Sequence, residues 1–91
     1  MNEPEFRAYA EAEGFREPET RIHPPHKFFD THAHKDDLIV LVREGSLAVD
    51  YGDRLDVFGP GDMCQVAPGI DHTDKAGPEG ASFILAWRTP R

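Results

Sequence analysis

His32-Ala33-His34-Lys35-Asp36-Asp37-Leu38-Ile39-Val40-Leu41-Val42-Arg43-Glu44-Gly45 carries both the fold signal and the chemical signal of this chain. Its second half, Leu38 to Val42, is a short run of branched apolar residues bounded by charge and glycine, which reads as a β-strand. Its first half places two histidines at i and i+2. On a strand those side chains share a face, about 6.6 Å apart along the chain. Two imidazoles so placed can lean onto one ion, with metal–nitrogen bonds of about 2.0–2.2 Å.

Downstream, the pattern repeats in short pieces. Ser46 to Tyr51 alternates Leu47, Val49 and Tyr51 against Ser46, Ala48 and Asp50, and Leu55–Phe58, Met63–Val66 and Ala81–Trp87 follow. Glu44-Gly45 is expected as a hairpin turn, Gly52-Asp53 as a tight hairpin, and Gly59-Pro60-Gly61-Asp62 as a sharp connection. Short strands with regular turn signals predict an all-β sandwich or barrel. Upstream, Phe6, Tyr9 and Ala10 form a helical stripe over residues 3–13, with Pro4 in the first turn, Gly14 past the end and Phe15 closing the contact. The expected organisation is a helix and lead-in over 1–20 and a single barrel domain over 21–91.

The chain's 91 residues, 38% of them hydrophobic, suffice for one small core. Its 17 acidic residues against 10 basic ones give a net charge of −7, a surface that repels phosphate backbones, so no nucleic-acid partner is expected. No apolar run is long enough for a membrane span, and the opening Met1-Asn2-Glu3-Pro4-Glu5 lacks the apolar core of a secretory signal. The single cysteine, Cys64, forbids an internal disulfide framework and reads as a small buried hydrophobe. A cytoplasmic protein is the expectation.

The remaining chemistry gathers around the His32–His34 pair. Asp36 and Asp37 follow directly, and His72 stands just past Pro68-Gly69. An antiparallel barrel can bring such distant segments side by side. Three imidazoles and one carboxylate make a site for a first-row divalent metal. His23 and His26 flank Pro24-Pro25 and are expected in a surface loop. Trp87 is expected to pack at the barrel edge, and whichever of Phe28, Phe29, Phe83 and Leu85 face inward would make the pocket apolar.

These residues resemble two motifs of the cupin superfamily. The first reads HxH, three or four residues, Glu, six residues, Gly, and His32, His34 and Gly45 match it in register. The second reads Gly, five residues, Pro-x-Gly, two residues, His, and Gly61, Gly69 and His72 match, with Asp62 after Gly61. The departures are specific. The glutamate position falls on Leu38, the proline position on Ala67 with Pro68 one later, the asparagine position on Ala76 and an earlier glycine position on His26.

The resemblance implies an RmlC-like double-stranded β-helix, the cupin jelly-roll barrel, with a short N-terminal α-helix and a metal inside the barrel. It implies His32, His34 and His72 as ligands. Asp37 is the first candidate for the acid. Asp36 is the second, by strand parity with the histidines, and water is the remaining option. Zn, Fe, Mn, Ni or Cu would suit the set. The implied partners are a small-molecule ligand and a second copy of the chain in a homodimer paired through edge strands. The implied function is oxygenase- or isomerase-type action on a small organic substrate, or non-catalytic binding and sensing of one.

Two other likenesses fail on length. Asp30-Thr31-His32-Ala33-His34 resembles the opening of TatD-like amidohydrolases, which are TIM barrels of about 250 residues. His32-Ala33-His34-Lys35-Asp36 resembles the start of the metallo-β-lactamase motif, whose closing histidine is Asp37 here.

Overall fold

The computed structural model of the chain describes residues 1–90. Helix α1 spans Glu3–Ala12, followed by strands β1 (Glu19–His23), β2 (Phe28–His32), β3 (Asp37–Asp50), β4 (Leu55–Phe58), β5 (Met63–Val66) and β6 (His72–Arg88). All six strands join one antiparallel sheet. Its spine is the long β3–β6 ribbon. Each spine strand carries two further partners, one on each half: β6 pairs β2 and then β1, and β3 pairs β5 and then β4.

The ribbon answers one expectation with a correction. Glu44-Gly45 does not form a hairpin turn; β3 runs through it for 14 residues. Gly45 instead sits in a β-bulge at φ 74°, where the β3–β6 register shifts. A Cβ there would lie 2.1 Å from the Gly80 carbonyl oxygen, so only glycine fits. β6 bulges at the same level. Its residues 77–80 find no partner between Leu47↔Ala76 and Gly45↔Ala81, and this accommodates Pro78 in mid-strand.

The paired bulges reverse side-chain parity in both strands. On β3, Leu38, Val40 and Val42 face the same interior as Leu47 and Val49 beyond the bulge. On β6, Ala76 faces it before the bulge, and Ala81, Phe83 and Leu85 after it. The opposite face, with Ile39, Leu41, Ile84 and Ala86, packs under Phe6, Ala10 and Phe15. That is why Leu38–Val42 reads as a continuous apolar run: it is buried on both sides.

Helix α1 is capped at both ends as its sequence requires. Asn2 Oδ1 accepts from the Glu5 N–H at 2.9 Å and Glu5 Oε1 accepts from the Asn2 N–H at 2.8 Å, a reciprocal capping box. At the other end Gly14 adopts φ 78° and the Phe15 N–H donates to the Ala10 carbonyl at 2.9 Å, which seats Phe15 against the helix's apolar stripe. Phe6 is fully buried, and truncating it to alanine is expected to cost about 3–5 kcal/mol. The Gly52-Asp53 hairpin closes β3 onto β4 through the Tyr51 N–H and the Arg54 carbonyl at 2.8 Å.

Candidate metal centre

Three chain segments bring three histidines together. His32 ends β2, His72 opens β6, and the two are register partners. His34 lies past the end of β2 rather than on the same strand; its carbonyl accepts from the Gly69 N–H at 2.9 Å, which anchors the loop beside His72. One ring nitrogen from each of the three lies within 4.8 Å of the other two. The ring centroids are 4.4 Å (His32–His72), 4.9 Å (His32–His34) and 5.1 Å (His34–His72) apart.

Second contacts fix which nitrogens face inward. The Nδ1–H of His32 donates to the Asp30 carbonyl at 2.6 Å, and that of His72 to the Ile70 carbonyl at 2.9 Å. A carbonyl only accepts, so each Nδ1 carries a proton, and in the neutral ring each Nε2 presents a lone pair. Burial, with the neighbouring His32 and His72 adding to it, lowers the His34 pKa below its ordinary value and favours the neutral, ligating form. His72 itself is only 3% exposed. The donor chemistry fits a divalent transition metal: neutral imidazoles, lone pairs convergent, second nitrogens pinned.

Asp37, expected as the acid of this site, is not among the groups that converge. Strand parity explains it. On β3 the even-numbered residues before the bulge face the interior, whereas Asp37 shares the helix-side face of Ile39 and Leu41. There its carboxylate pairs with Arg88 and accepts from Gln65 Nε2 at 3.1 and 3.2 Å. Arg88 in turn donates to the Glu13 carbonyl at the end of α1 at 2.6 Å. Asp36 precedes the strand and pairs with Arg16 at 2.8 Å. Leu38, at the position of the resembled motif's glutamate, points into the interior and lines a cavity there.

That cavity, about 280 Å³, opens beside the histidines. Phe29, Val40, Phe83, Leu85 and Trp87 form its apolar wall, and Trp87 stands edge-on to His34 with centroids 5.0 Å apart. Trp87, half-buried against the core, is also pocket wall, and Phe28 is the one of its pair left exposed. His23 also corrects its expectation: it is on β1, not in a surface loop. It packs between Phe29 and Phe83 with a buried Nδ1 that has no partner among the described residues. His26 is an exposed turn residue, as expected. Cys64 is buried, and burial pushes its thiol up to about 12.

Asp74 is the residue that the sequence reading missed. Its Oδ2 lies 3.5 Å from His32 Nε2 and 3.9 Å from His72 Nε2. Burial raises its pKa, with the three nearby histidines opposing. Its signal was available: it stands at i+2 from His72, the same spacing as His32 and His34.

Comparison with solved structures places this architecture. The chain superposes on a protein of unknown function from Rhizobium leguminosarum with TM-score 0.76 at 22% identity, covering 80% of this chain and 69% of that one. It superposes on a cupin-2 domain protein from Shewanella frigidimarina with TM-score 0.66 at 25% identity, covering 78% and 69%. Oxalate decarboxylase from Bacillus subtilis, described with Mn(II) centres, gives TM-score 0.69 at 25% identity, covering 79% of this chain and 20% of the enzyme. No protein-family model and no curated protein matches the chain. The fold is the cupin fold, and it carries three histidines positioned to hold a metal. Among the described residues, no helix is long and apolar enough to cross a membrane.

Proposed function

We propose that this chain is a metal-binding cupin that holds one divalent transition metal on His32, His34 and His72 and takes a small organic molecule into the adjoining cavity. The observation that carries this reading is the convergence of three ligating nitrogens, two of them presented as lone pairs by carbonyl contacts on the far side of each ring. Lone pairs facing one another in a partly buried site repel unless a cation lies between them.

The residues divide the work. His32 and His72 are held by their Nδ1–H contacts, so neither ring must reorient to bind. The apolar wall excludes water and selects a compact, mainly apolar body; about 280 Å³ lies at the small end of ligand sites. His23, packed between Phe29 and Phe83, adds its ring to this wall. A bound metal would polarise a substrate oxygen if Zn or Mn, or support dioxygen chemistry if Fe. Manganese gains support from the Mn(II) centres described for the oxalate decarboxylase neighbour.

A second reading, ligand binding without turnover, is favoured by Leu38 at the position of the motif's acid. We place the protein in the cytoplasm and as a homodimer. Exposed Ile22 on β1 and Leu55 and Val57 on β4 support the pairing of edge strands.

Elemental analysis of untagged protein tests the site, wild type beside a His32→Ala/His72→Ala double variant. About one metal per chain, lost in the variant, is expected. Turnover that stops on His72→Ala then separates enzyme from binder.

A further inference from the structure

We propose that Asp74, on β6, supplies the fourth ligand of this metal through its carboxylate; the proposal rests on the three-histidine reading above. Asp74 and His72 are i and i+2 on β6, so both project to one side of the strand. The Asp74 Oδ2 separations from His32 Nε2 and His72 Nε2, 3.5 and 3.9 Å, are too long for hydrogen bonds. These two are near the ligand–ligand edge of one coordination shell, about 3.4 Å for four ligands at about 2.1 Å from a common ion, although Asp74 stands outside the group of three histidines whose ligand atoms all lie within 4.8 Å of one another.

The alternative partners are missing. Among the described residues, no lysine or arginine pairs with Asp74; its carboxylate stands against the Nε2 atoms of the two histidines instead. In the neutral rings both of those nitrogens bear lone pairs, because the single ring proton of each is committed to the Asp30 or Ile70 carbonyl. A carboxylate oxygen against two lone pairs is an arrangement that a cation between them stabilises and that its absence does not.

The assignment also explains Leu38. With the acid arriving from β6, position 38 on β3 is free to be apolar, and Leu38 lines the cavity with Val40, Leu85 and Trp87. The ligand set becomes three imidazoles and one aspartate. The face of the site toward Leu38 is then the side on which an organic ligand meets the metal.

The test is Zn²⁺ affinity by chelator competition on wild type, Asp74→Asn and Asp37→Asn, with the visible spectrum of the Co²⁺ form of each. Outer contacts to metal ligands typically carry about 10–100-fold in affinity, so a direct ligand is expected to carry about 100-fold or more. Asp74→Asn should therefore lose at least that and alter the Co²⁺ bands. Asp37→Asn should keep wild-type affinity and spectrum. A loss in Asp37→Asn instead, or no change in Asp74→Asn, overturns the proposal.

The wild-type protein gives a measurement that no folding defect can confound. The ¹³Cγ resonance of Asp74 should shift as Zn²⁺ reaches one equivalent, and an unmoved resonance overturns the assignment. Wild type that binds no Zn²⁺ overturns the three-histidine reading as well. Zn²⁺ binding that His32→Ala/His72→Ala abolishes but Asp74→Asn leaves intact overturns this proposal alone.

Discussion

Strand β6 begins and ends in polar clusters of opposite logic. At its end, Arg88 donates to Asp37 and to the Glu13 carbonyl, and Gln65 donates to Asp37, so nearly every donor there meets an acceptor. At its start, His72 faces His32, His34 and Asp74, and nearly every group turned to the centre is an acceptor. The first cluster meets its charges with its own ion pair and hydrogen bonds, Arg88 Nε alone lacking an acceptor among the described residues, and it ties the sheet to α1. The second, on the reading proposed above, is completed by a cation. Proximity of charged and polar side chains does not mark a binding site; mismatch between donors and acceptors does.

The largest expected effect is at the start of the strand. His72→Ala removes one of the three proposed ligands, a buried imidazole, and should lower Zn²⁺ affinity well beyond the ~10–100-fold typical of outer contacts, measured by chelator competition. The apo protein should still unfold cooperatively in urea.

Next comes Arg88→Ala, which leaves the buried Asp37 carboxylate without its partner. It should cost about 3 kcal/mol in urea unfolding and leave Zn²⁺ affinity unchanged. If it weakens Zn²⁺ binding as strongly as His72→Ala does, the two clusters are not independent.

Acid sharpens the same contrast. Burial lowers the pKa of His34 and His23 in the fold below the unfolded value of 6.5. The unfolded chain then takes up these protons first, so apo stability is fully present above about pH 6.5 and declines as pH falls through the lower folded values. Melting temperatures of apo protein between pH 8 and pH 5 should fall accordingly, and a flat profile contradicts the burial argument.

The smallest effect is expected at Asp36→Asn. Its pair with Arg16 is exposed on the arginine side, and such surface pairs contribute about 0–1 kcal/mol. Urea unfolding should barely move, and Zn²⁺ affinity should not move at all.

Much of this was legible in the sequence. The i, i+2 spacing of His32 and His34 with His72 beyond Gly69 named the three residues that converge, and the apolar runs named the strands of the core. The i+2 spacing of Asp74 from His72 gave a shared strand face but not a choice between Asp74 and Asp37, because which acid faces the histidines depends on strand parity. The bulges at Gly45 and at residues 77–80 invert that parity, and they depend on a close approach of Gly45 to Gly80 that no local pattern records. For the same reason Glu44-Gly45 read as a hairpin: the partner that keeps β3 running through it is β6, distant in sequence. Asp37 was the nearer acid along the chain, whereas Asp74 is the nearer one in space.

The central claim is that the Nε2 atoms of His32 and His72 are unprotonated and turned to a common ion. Long-range ¹H–¹⁵N correlation of the histidine rings tests it directly, first in apo protein at neutral pH and then with Zn²⁺. The account predicts the Nδ1–H tautomer for His32 and His72, and Nε2 resonances of His32 and His72 that move together with one ring nitrogen of His34 and saturate at one Zn²⁺ per chain. Nε2–H tautomers in the apo protein, or ring resonances indifferent to Zn²⁺, would contradict it.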